Sequence, residues 1–90
     1  MAKRVRLEII HGILRIIYNN KNSIRPTPLL RSSNVSSQRF AEYYHELLSK
    51  GLIREEKDSD GKTYVTLTDK GFQFLDKYKL ILSFIDEFEL

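Results

Sequence analysis

The hydrophobic positions of residues 4–19 repeat with the spacing of an α-helix. One face carries five isoleucines: Ile9, Ile10, Ile13, Ile16 and Ile17. Roughly opposite them lies a second apolar stripe, formed by Leu7, Leu14 and Tyr18. A helix that is apolar on two faces is usually covered on both. This first helix is therefore expected to contact another element besides the core beneath its isoleucines.

Two prolines shape the next segment. Each proline biases the residue before it towards extended geometry, so residues 23–25 are predicted to form a short strand or an extended link. Thr27 is predicted to cap helix 2, with Pro28 at the first helical position, where its missing N–H costs nothing. This helix is expected to end near Ser32 and to be buried through its two leucines.

The third helix is predicted for residues 37–50, with Ser36 as its cap. One apolar stripe is expected to face the core, formed by Phe40, Tyr44 and Leu47. Gly51 follows and suits the left-handed position that often ends a helix. A turn that delivers this helix is expected at Ser33 and Asn34, directly after helix 2.

A β-hairpin and a long helix complete the chain. The segments Ile53–Lys57 and Lys62–Leu67 are rich in β-forming residues, and Asp60-Gly61 between them is a recognised signal of a tight hairpin. Thr68 is placed to cap helix 4, which is predicted from Asp69 to about Phe88. At ~1.5 Å per residue, this helix would be roughly 30 Å long.

A helix delivered by a tight turn and followed by a hairpin forms the core of a winged helix-turn-helix. The elements therefore predict an α+β fold with a three-helix core, a β-hairpin wing and a long C-terminal helix. We assign residues 1–68 to the winged helix-turn-helix domain. Residues 69–90 are assigned to a C-terminal dimerisation helix.

Helix 4 carries more apolar surface than one small domain can cover. Its seam repeats every three or four residues, as in a coiled coil, and large exposed apolar patches are rare on monomers. A homodimer with an antiparallel helix pair is therefore predicted. The predicted interface consists of Phe74, Leu75, Tyr78, Ile81, Leu82, Ile85 and Phe88. The alternative is that helix 4 folds back over Leu7, Leu14 and Tyr18 of the same chain.

Composition restricts the chemistry of the chain. Its 90 residues are 41% hydrophobic, which favours one ordinary folded domain. Cysteine is absent, so disulfides and most structural zinc sites are excluded. His11 and His45 lack the close spacing of a metal site, and no phosphate loop or nucleophile elbow occurs. No enzymatic activity, metal or cofactor is therefore predicted. The sequence also lacks an apolar run of roughly 20 residues that could span a membrane, so a cytoplasmic location is the simplest interpretation.

Charge is distributed unevenly along the chain. Residues 1–41 carry eight basic residues and one acidic residue (+7), and residues 42–90 carry seven basic and eleven acidic residues (−4), which sums to +3. Such asymmetry favours a basic face for a polyanion. Hydroxyl, amide and guanidinium groups in the first turn of helix 3 suit the phosphates and base edges of double-stranded DNA. The predicted DNA contacts are Ser36, Ser37, Gln38 and Arg39 on helix 3, Arg31 and Arg25 near helix 2, and Lys57 and Lys62 beside the wing.

Acidic residues oppose such a contact. They lie further along helix 3 and around the wing, at Glu42, Glu46, Glu55, Glu56, Asp58 and Asp60. Negative charge near phosphates lowers affinity wherever screening is incomplete. The alternative hypothesis is therefore a winged-helix protein–protein interaction module that does not bind DNA.

The run LLSKGLIREEKDSDGKTYVTLTDKGFQFL resembles a passage shared by archaeal winged-helix DNA-binding proteins. That passage joins the end of the recognition helix, the wing and an L-T-x-K-G-x-x-x-L entry into the last helix. The opening KRVRLEIIHGIL resembles their first helix. In layout the chain is most similar to the small chromatin-associated group of ten kilodaltons, whose members dimerise through an antiparallel C-terminal helix pair. The resemblance implies DNA binding by helix 3 and dimerisation by helix 4, while the acidic wing departs from the pattern.

Overall fold

The computed structural model describes residues 2–89, with side chains from Arg6 onwards. Met1 and Leu90, the outermost residues of the two predicted segments, lie outside the described residues. The elements are α1 (Ala2–Asn19), α2 (Pro26–Ser33), α3 (Ser37–Ser49), β1 (Ile53–Lys57), β2 (Thr63–Leu67) and α4 (Asp69–Glu87). This order confirms the predicted three-helix core, hairpin wing and C-terminal helix. None of the described helices has the length and apolar character needed to cross a membrane.

One apolar core joins the helices and the hairpin. Its most deeply buried side chains are Ile13, Leu14, Ile17, Leu29, Leu47, Ile53 and Val65, each less than 2% exposed. They come from the first three helices and from both strands. Leu75 of α4 belongs to the same core. The first half of α4 therefore packs onto residues 1–68, and the separate dimerisation role assigned to residues 69–90 stays a prediction.

The start of α2 differs from the prediction. Arg25 occupies the N-cap position with an extended backbone (φ −79°, ψ 153°) and makes no capping hydrogen bond through its side chain. Pro26 is the first helical residue, so the prediction that Thr27 caps the helix and Pro28 begins it is wrong. The first N–H groups of a helix have no intrahelical partner. Both prolines are therefore tolerated in the first turn, and the earlier one determines where the helix begins.

Strand β2 has partners along both edges. It pairs antiparallel with β1 on one side. On the other side Ile24 and Val65 exchange backbone hydrogen bonds of 3.2 and 2.7 Å, which confirms the extended link predicted before α2. Asn22, in the left-handed region at φ 58°, accepts a hydrogen bond of 2.7 Å from the backbone N–H of Leu67 through its side-chain Oδ1.

The second apolar side of α1 is covered in part by α4. The ring of His11 stacks on Tyr78 with centroids 4.1 Å apart, and Tyr18 meets Phe72 edge-on at 6.1 Å. Leu7 and Tyr18 nevertheless keep 41% and 54% of their surface exposed. Helix α4 thus folds back on its own chain over its first half, as the alternative interpretation expected. Its second half extends beyond that contact.

The first turn of α4 lies close to the residue before β1. Thr68 caps α4, as predicted, by accepting the N–H of Gly71 at 3.1 Å. The backbone N–H of Thr68 donates to the carbonyl oxygen of Leu52 at 3.1 Å. A Cβ placed on Gly71 would collide with the same carbonyl oxygen, so this close approach of the two backbones requires glycine.

Candidate nucleic-acid interface

The first turn of α3 presents polar side chains to solvent. Ser36 has an extended backbone and accepts the N–H of Arg39 at 3.3 Å through its hydroxyl, which satisfies one of the free donors at the helix end. Ser37, Gln38 and Arg39 are exposed. The next residue, Phe40, is only 6% exposed. The helix is therefore anchored from its second turn onwards, and its first turn is free to approach a groove.

A hydrogen bond fixes the middle of α3 against the wing. The phenol of Tyr44 donates to the carboxylate of Glu55 on β1 at 2.5 Å. Burial, followed by the hydrogen bond to this carboxylate, raises the pKa of Tyr44 well above its ordinary value. The phenol accordingly stays protonated and remains a donor across the physiological range. One of the acidic groups at the wing is thus occupied by a contact within the chain.

Glu46 on α3 is neutralised by two cations. It accepts the guanidinium of Arg6 on α1 in a two-pronged ion pair, and its carboxylate lies 2.7 Å from the Nζ of Lys50. The side chain of Glu46 is only 22% exposed. The repulsion predicted between this residue and DNA is therefore weakened, and the same ion pair joins α1 to α3.

Arg25 lies against the turn of the wing. Its Nη2 is 2.7 Å from Oδ2 of Asp58, and its Nη1 donates to the carbonyl of Thr63 at 3.4 Å. The other carboxylate oxygen, Oδ1, accepts the backbone N–H groups of Asp60 and Lys62 at 2.9 and 3.0 Å. These hydrogen bonds, above all the one from Arg25, hold the pKa of Asp58 below its ordinary value. Asp58 therefore both shapes the turn and neutralises a cation predicted to contact DNA.

The remaining predicted DNA contacts are exposed cations. Arg31 lies in the last turn of α2, and Lys57 donates to the hydroxyl of Thr63 at 3.2 Å. Within residues 6–89, Arg31, Arg39 and Lys62 make no ion pair. The predicted residues thus lie in three places, the first turn of α3, Arg31 on α2 and the Arg25–wing cluster, and no described hydrogen bond joins them. The same described residues contain no cluster of histidine and carboxylate groups suited to a metal ion.

The second half of α4 and its C-cap residue, Phe88, expose a row of large apolar side chains. Four of them are at least half exposed: Leu80, Ile81, Phe84 and Phe88. The rings of Phe84 and Phe88 are in contact, with centroids 4.7 Å apart. Of the residues predicted for a dimer interface, Leu75 and Tyr78 are only 7% and 9% exposed, because their own chain covers them. Leu80 was outside the predicted seam, although its neighbours in the sequence indicate an apolar helix end.

A shallow groove runs beside this exposed row. It lies between α1 and α4 and is lined by Leu7, Glu8, Tyr78, Ile81, Leu82 and Ile85. Leu82 is 42% exposed, and Ile85 and Phe74 are half-buried. The apolar surface of α4 thus continues from the exposed row into a groove on the same molecule.

A family model described as winged helix-turn-helix matches residues 3–85 of the chain. Among solved structures, the PcaV transcriptional regulator from Streptomyces coelicolor is similar with a TM-score of 0.75 and 15% identity, over 88% of this chain and 59% of that one. Sso10a-2, a DNA-binding protein from Sulfolobus solfataricus, has a TM-score of 0.72 and 17% identity, over 92% and 83% of the two chains. A winged-helix DNA-binding protein from STIV has a TM-score of 0.69 and 18% identity, over 91% and 89%.

These similarities concern the fold. The chain spans only 59% of the length of the Streptomyces regulator. No curated protein sequence matches the chain. The resemblance predicted from the sequence is therefore confirmed for the winged helix-turn-helix fold, and the narrower likeness to the archaeal chromatin-associated group stays a prediction.

Proposed function

The chain belongs to the winged helix-turn-helix family, and from this premise we propose that it binds double-stranded DNA through the N-terminal end of α3. It acts as a homodimer, either as a transcriptional regulator or as a chromatin-associated protein. The observation that carries the proposal is the abrupt change at one position of α3. Ser37, Gln38 and Arg39 are exposed and polar, whereas Phe40 is buried in the core.

Each exposed group in this turn suits a different part of the duplex. The helix N-terminus and the serine hydroxyls favour a phosphate. Gln38 has the paired donor and acceptor that match adenine, and Arg39 can bind guanine or a phosphate. Small residues at Ser36 and Ser37 allow the backbone to approach the major groove closely. The turn therefore supplies both positioning and base-reading contacts.

Cations outside α3 extend this surface. Arg31 and Lys62 are exposed and make no ion pair within the described residues, so they can bind flanking phosphates without breaking an existing contact. Lys57 is exposed beside the wing, and among the described residues its ammonium group binds the hydroxyl group of Thr63 alone. These side chains contribute affinity rather than sequence preference, because phosphates are the same at every base pair.

The exposed row on α4 supports a homodimer. Burying Ile81, Phe84 and Phe88 against a second copy removes a surface that isolated proteins rarely expose. Charge along the helix favours an antiparallel pair. Residues 69–79 carry three lysines and two aspartates, a net charge of +1, and the end of the helix and the two residues after it carry three carboxylates, at Asp86, Glu87 and Glu89. An antiparallel arrangement places the basic part of one helix beside the acidic end of the other.

The acidic wing favours the second candidate, a protein–protein interaction module. Glu55 and Glu56 lie on β1 with their side chains on opposite faces of the strand, and Asp60 lies in the turn of the wing. Negative charge on either face of the wing lowers affinity for nearby phosphates. Glu55 accepts a hydrogen bond from the neutral phenol of Tyr44 and keeps its charge, whereas Glu56 forms an ion pair with Arg54 at 2.9 Å. This pairing weakens the argument against DNA.

An electrophoretic shift assay with a random-sequence duplex at low and high salt tests the DNA proposal. Neutralised phosphates release counterions, so binding should weaken steeply as salt increases. Failure to shift the duplex at low salt would overturn DNA binding and favour the interaction module. Sedimentation equilibrium tests the dimer separately. A species of 10.6 kDa at concentrations of tens of micromolar would contradict it.

A further inference from the structure

We propose that Asp58 occupies the place of a DNA phosphate in the free protein, and that Arg25 exchanges this carboxylate for the phosphate backbone when a duplex docks. The inference rests on the proposed function. It adds that Asp58 and a DNA phosphate compete for Arg25, and this competition sets the affinity for DNA. Asp58 is then the residue that keeps Arg25 from acting as a permanent phosphate clamp.

A carboxylate and a phosphate are similar partners for the guanidinium of Arg25. A guanidinium forms parallel N–H···O bonds with a carboxylate or with a phosphate, because both present two oxygens at a similar spacing. Arg25 makes one such bond to Asp58, with Nη2 2.7 Å from Oδ2, while its Nη1 donates to the carbonyl of Thr63. It stands at the N-cap of α2, the end of a helix that favours anions. A phosphate arriving there meets an arginine that is already oriented for it.

Exposure makes the exchange possible. The side chains of Arg25 and Asp58 are 47% and 27% exposed, and ion pairs so open to water contribute little to stability. The high charge density of duplex DNA can therefore compete for the guanidinium. The Arg25 side chain lies at the wing turn, where its Nη1 donates to the carbonyl of Thr63.

The wing turn does not depend on Arg25 for its shape. The two backbone N–H groups that close the turn bind Oδ1 of Asp58 at 2.9 and 3.0 Å. Arg25 binds the opposite oxygen, Oδ2. Release of the arginine therefore leaves the turn in place, and the exchange requires only a side-chain movement. It leaves one carboxylate without its cation close to the duplex, which lowers the affinity of the wild-type protein.

Two asparagine variants distinguish this competition from the general effect of removing one negative charge from the wing turn. Asp58→Asn removes the charge while keeping an Oδ1 acceptor for the turn. Asp60→Asn is the matched control, because it removes the same charge from the same turn and Asp60 has no side-chain ion pair within the described residues. Binding of a random-sequence duplex is measured for wild type, both variants, Arg25→Ala, and Arg25→Ala combined with each asparagine.

We expect Asp58→Asn to bind several-fold more tightly than Asp60→Asn, and this difference to disappear when Arg25 is alanine. Arg25→Ala alone should reduce the slope of log K against log salt by about 0.9, the loss of one phosphate contact. Equal gains for the two asparagine variants, or an unchanged slope for Arg25→Ala, would overturn the exchange while leaving DNA binding intact. If the wild-type protein fails to bind the duplex, the proposed function and the exchange both fall.

A measurement on the wild-type protein guards against a variant that does not fold. The guanidinium NMR signals of Arg25 should move when duplex is added, because the arginine changes its partner. Signals that stay at their free-protein positions while those of Arg39 move would show that Arg25 remains on Asp58. That outcome would overturn the exchange without any substitution.

Discussion

His11 of α1 and Tyr78 of α4 form a stacked pair, with ring centroids 4.1 Å apart and planes inclined by 15°. The cleft beside them is lined by Arg15, Asp76 and Lys79. Burial, and then the positive charges of Arg15 and Lys79, lower the pKa of His11. The contact between the two helices therefore favours the neutral imidazole.

Stability should consequently decrease in mild acid. Since the folded-state pKa of His11 lies below its ordinary value of 6.5, the unfolded chain takes up a proton first as the pH falls through that value. The contribution of His11 is most favourable above pH 6.5 and becomes unfavourable below it. Chemical denaturation across this range measures the effect. The His11→Gln variant should lose less stability than wild type on acidification, and identical pH profiles for both proteins would contradict the prediction.

Two glycines in helices should respond oppositely to alanine. Gly71→Ala brings a Cβ against the carbonyl of Leu52, and such overpacking costs about 1–3 kcal/mol. The matched substitution Gly12→Ala meets nothing within 4 Å and lies inside α1, so it should stabilise the protein by about 0.5–1 kcal/mol. Thermal and urea denaturation of the two variants measure the expected loss of stability for Gly71→Ala and the expected gain for Gly12→Ala. A Gly71→Ala protein as stable as wild type would show that α4 can move away from Leu52.

Removing the guanidinium of Arg39 should weaken DNA binding. Arg39→Ala leaves the cap intact, because Ser36 uses only the backbone N–H of Arg39. Loss of a base or phosphate contact at this position corresponds to roughly 1–3 kcal/mol, or several-fold and more in affinity. The control Arg15→Ala removes the same charge from the α1–α4 cleft and should bind nearly as well as wild type. Equal affinities for both variants would mean that α3 is not the reading element.

A charge in the exposed row of α4 should dissociate the proposed homodimer. Ile81→Glu or Phe84→Glu would place an unpaired carboxylate in the interface, which costs ~3 kcal/mol or more and weakens association by roughly a hundredfold. Both positions are more than half exposed, so the monomer should still fold. Ser83→Glu adds the same charge at another exposed position of α4 and should stay dimeric. Sedimentation equilibrium distinguishes these outcomes, and a dimeric Ile81→Glu protein would show that the row is not the interface.

Local patterns predicted most of the fold because local chemistry determines it. Ser36 and Thr68 both cap the helices expected of them, and the strands agree with their predicted bounds to within one residue. The start of α2 was misplaced because two prolines were compatible with a first turn. Only the packing of the whole chain distinguishes them.

Contacts between distant parts of the chain could not be predicted in this way. The sequence predicts Arg25 as a DNA contact but not its ion pair, because its partner Asp58 is 33 positions away and no periodicity connects the two. Tertiary packing also decides which part of α4 is covered by its own chain and which part is exposed. Phe74, Tyr78 and Ile81 follow one heptad pattern, yet α1 covers Tyr78 and leaves Ile81 more than half exposed.

The side chain of Asn22 also limits how the protein can aggregate. By accepting the N–H of Leu67 at 2.7 Å, it removes a donor that a foreign strand would need to extend the sheet beside the Ile24 bridge. An added strand is therefore left with the outer edge of β1, where Arg54, Glu55, Glu56 and Lys57 are consecutive charged residues. Charged edges discourage strand addition. The small sheet is thus closed to propagation on one side by an amide group and on the other by charge.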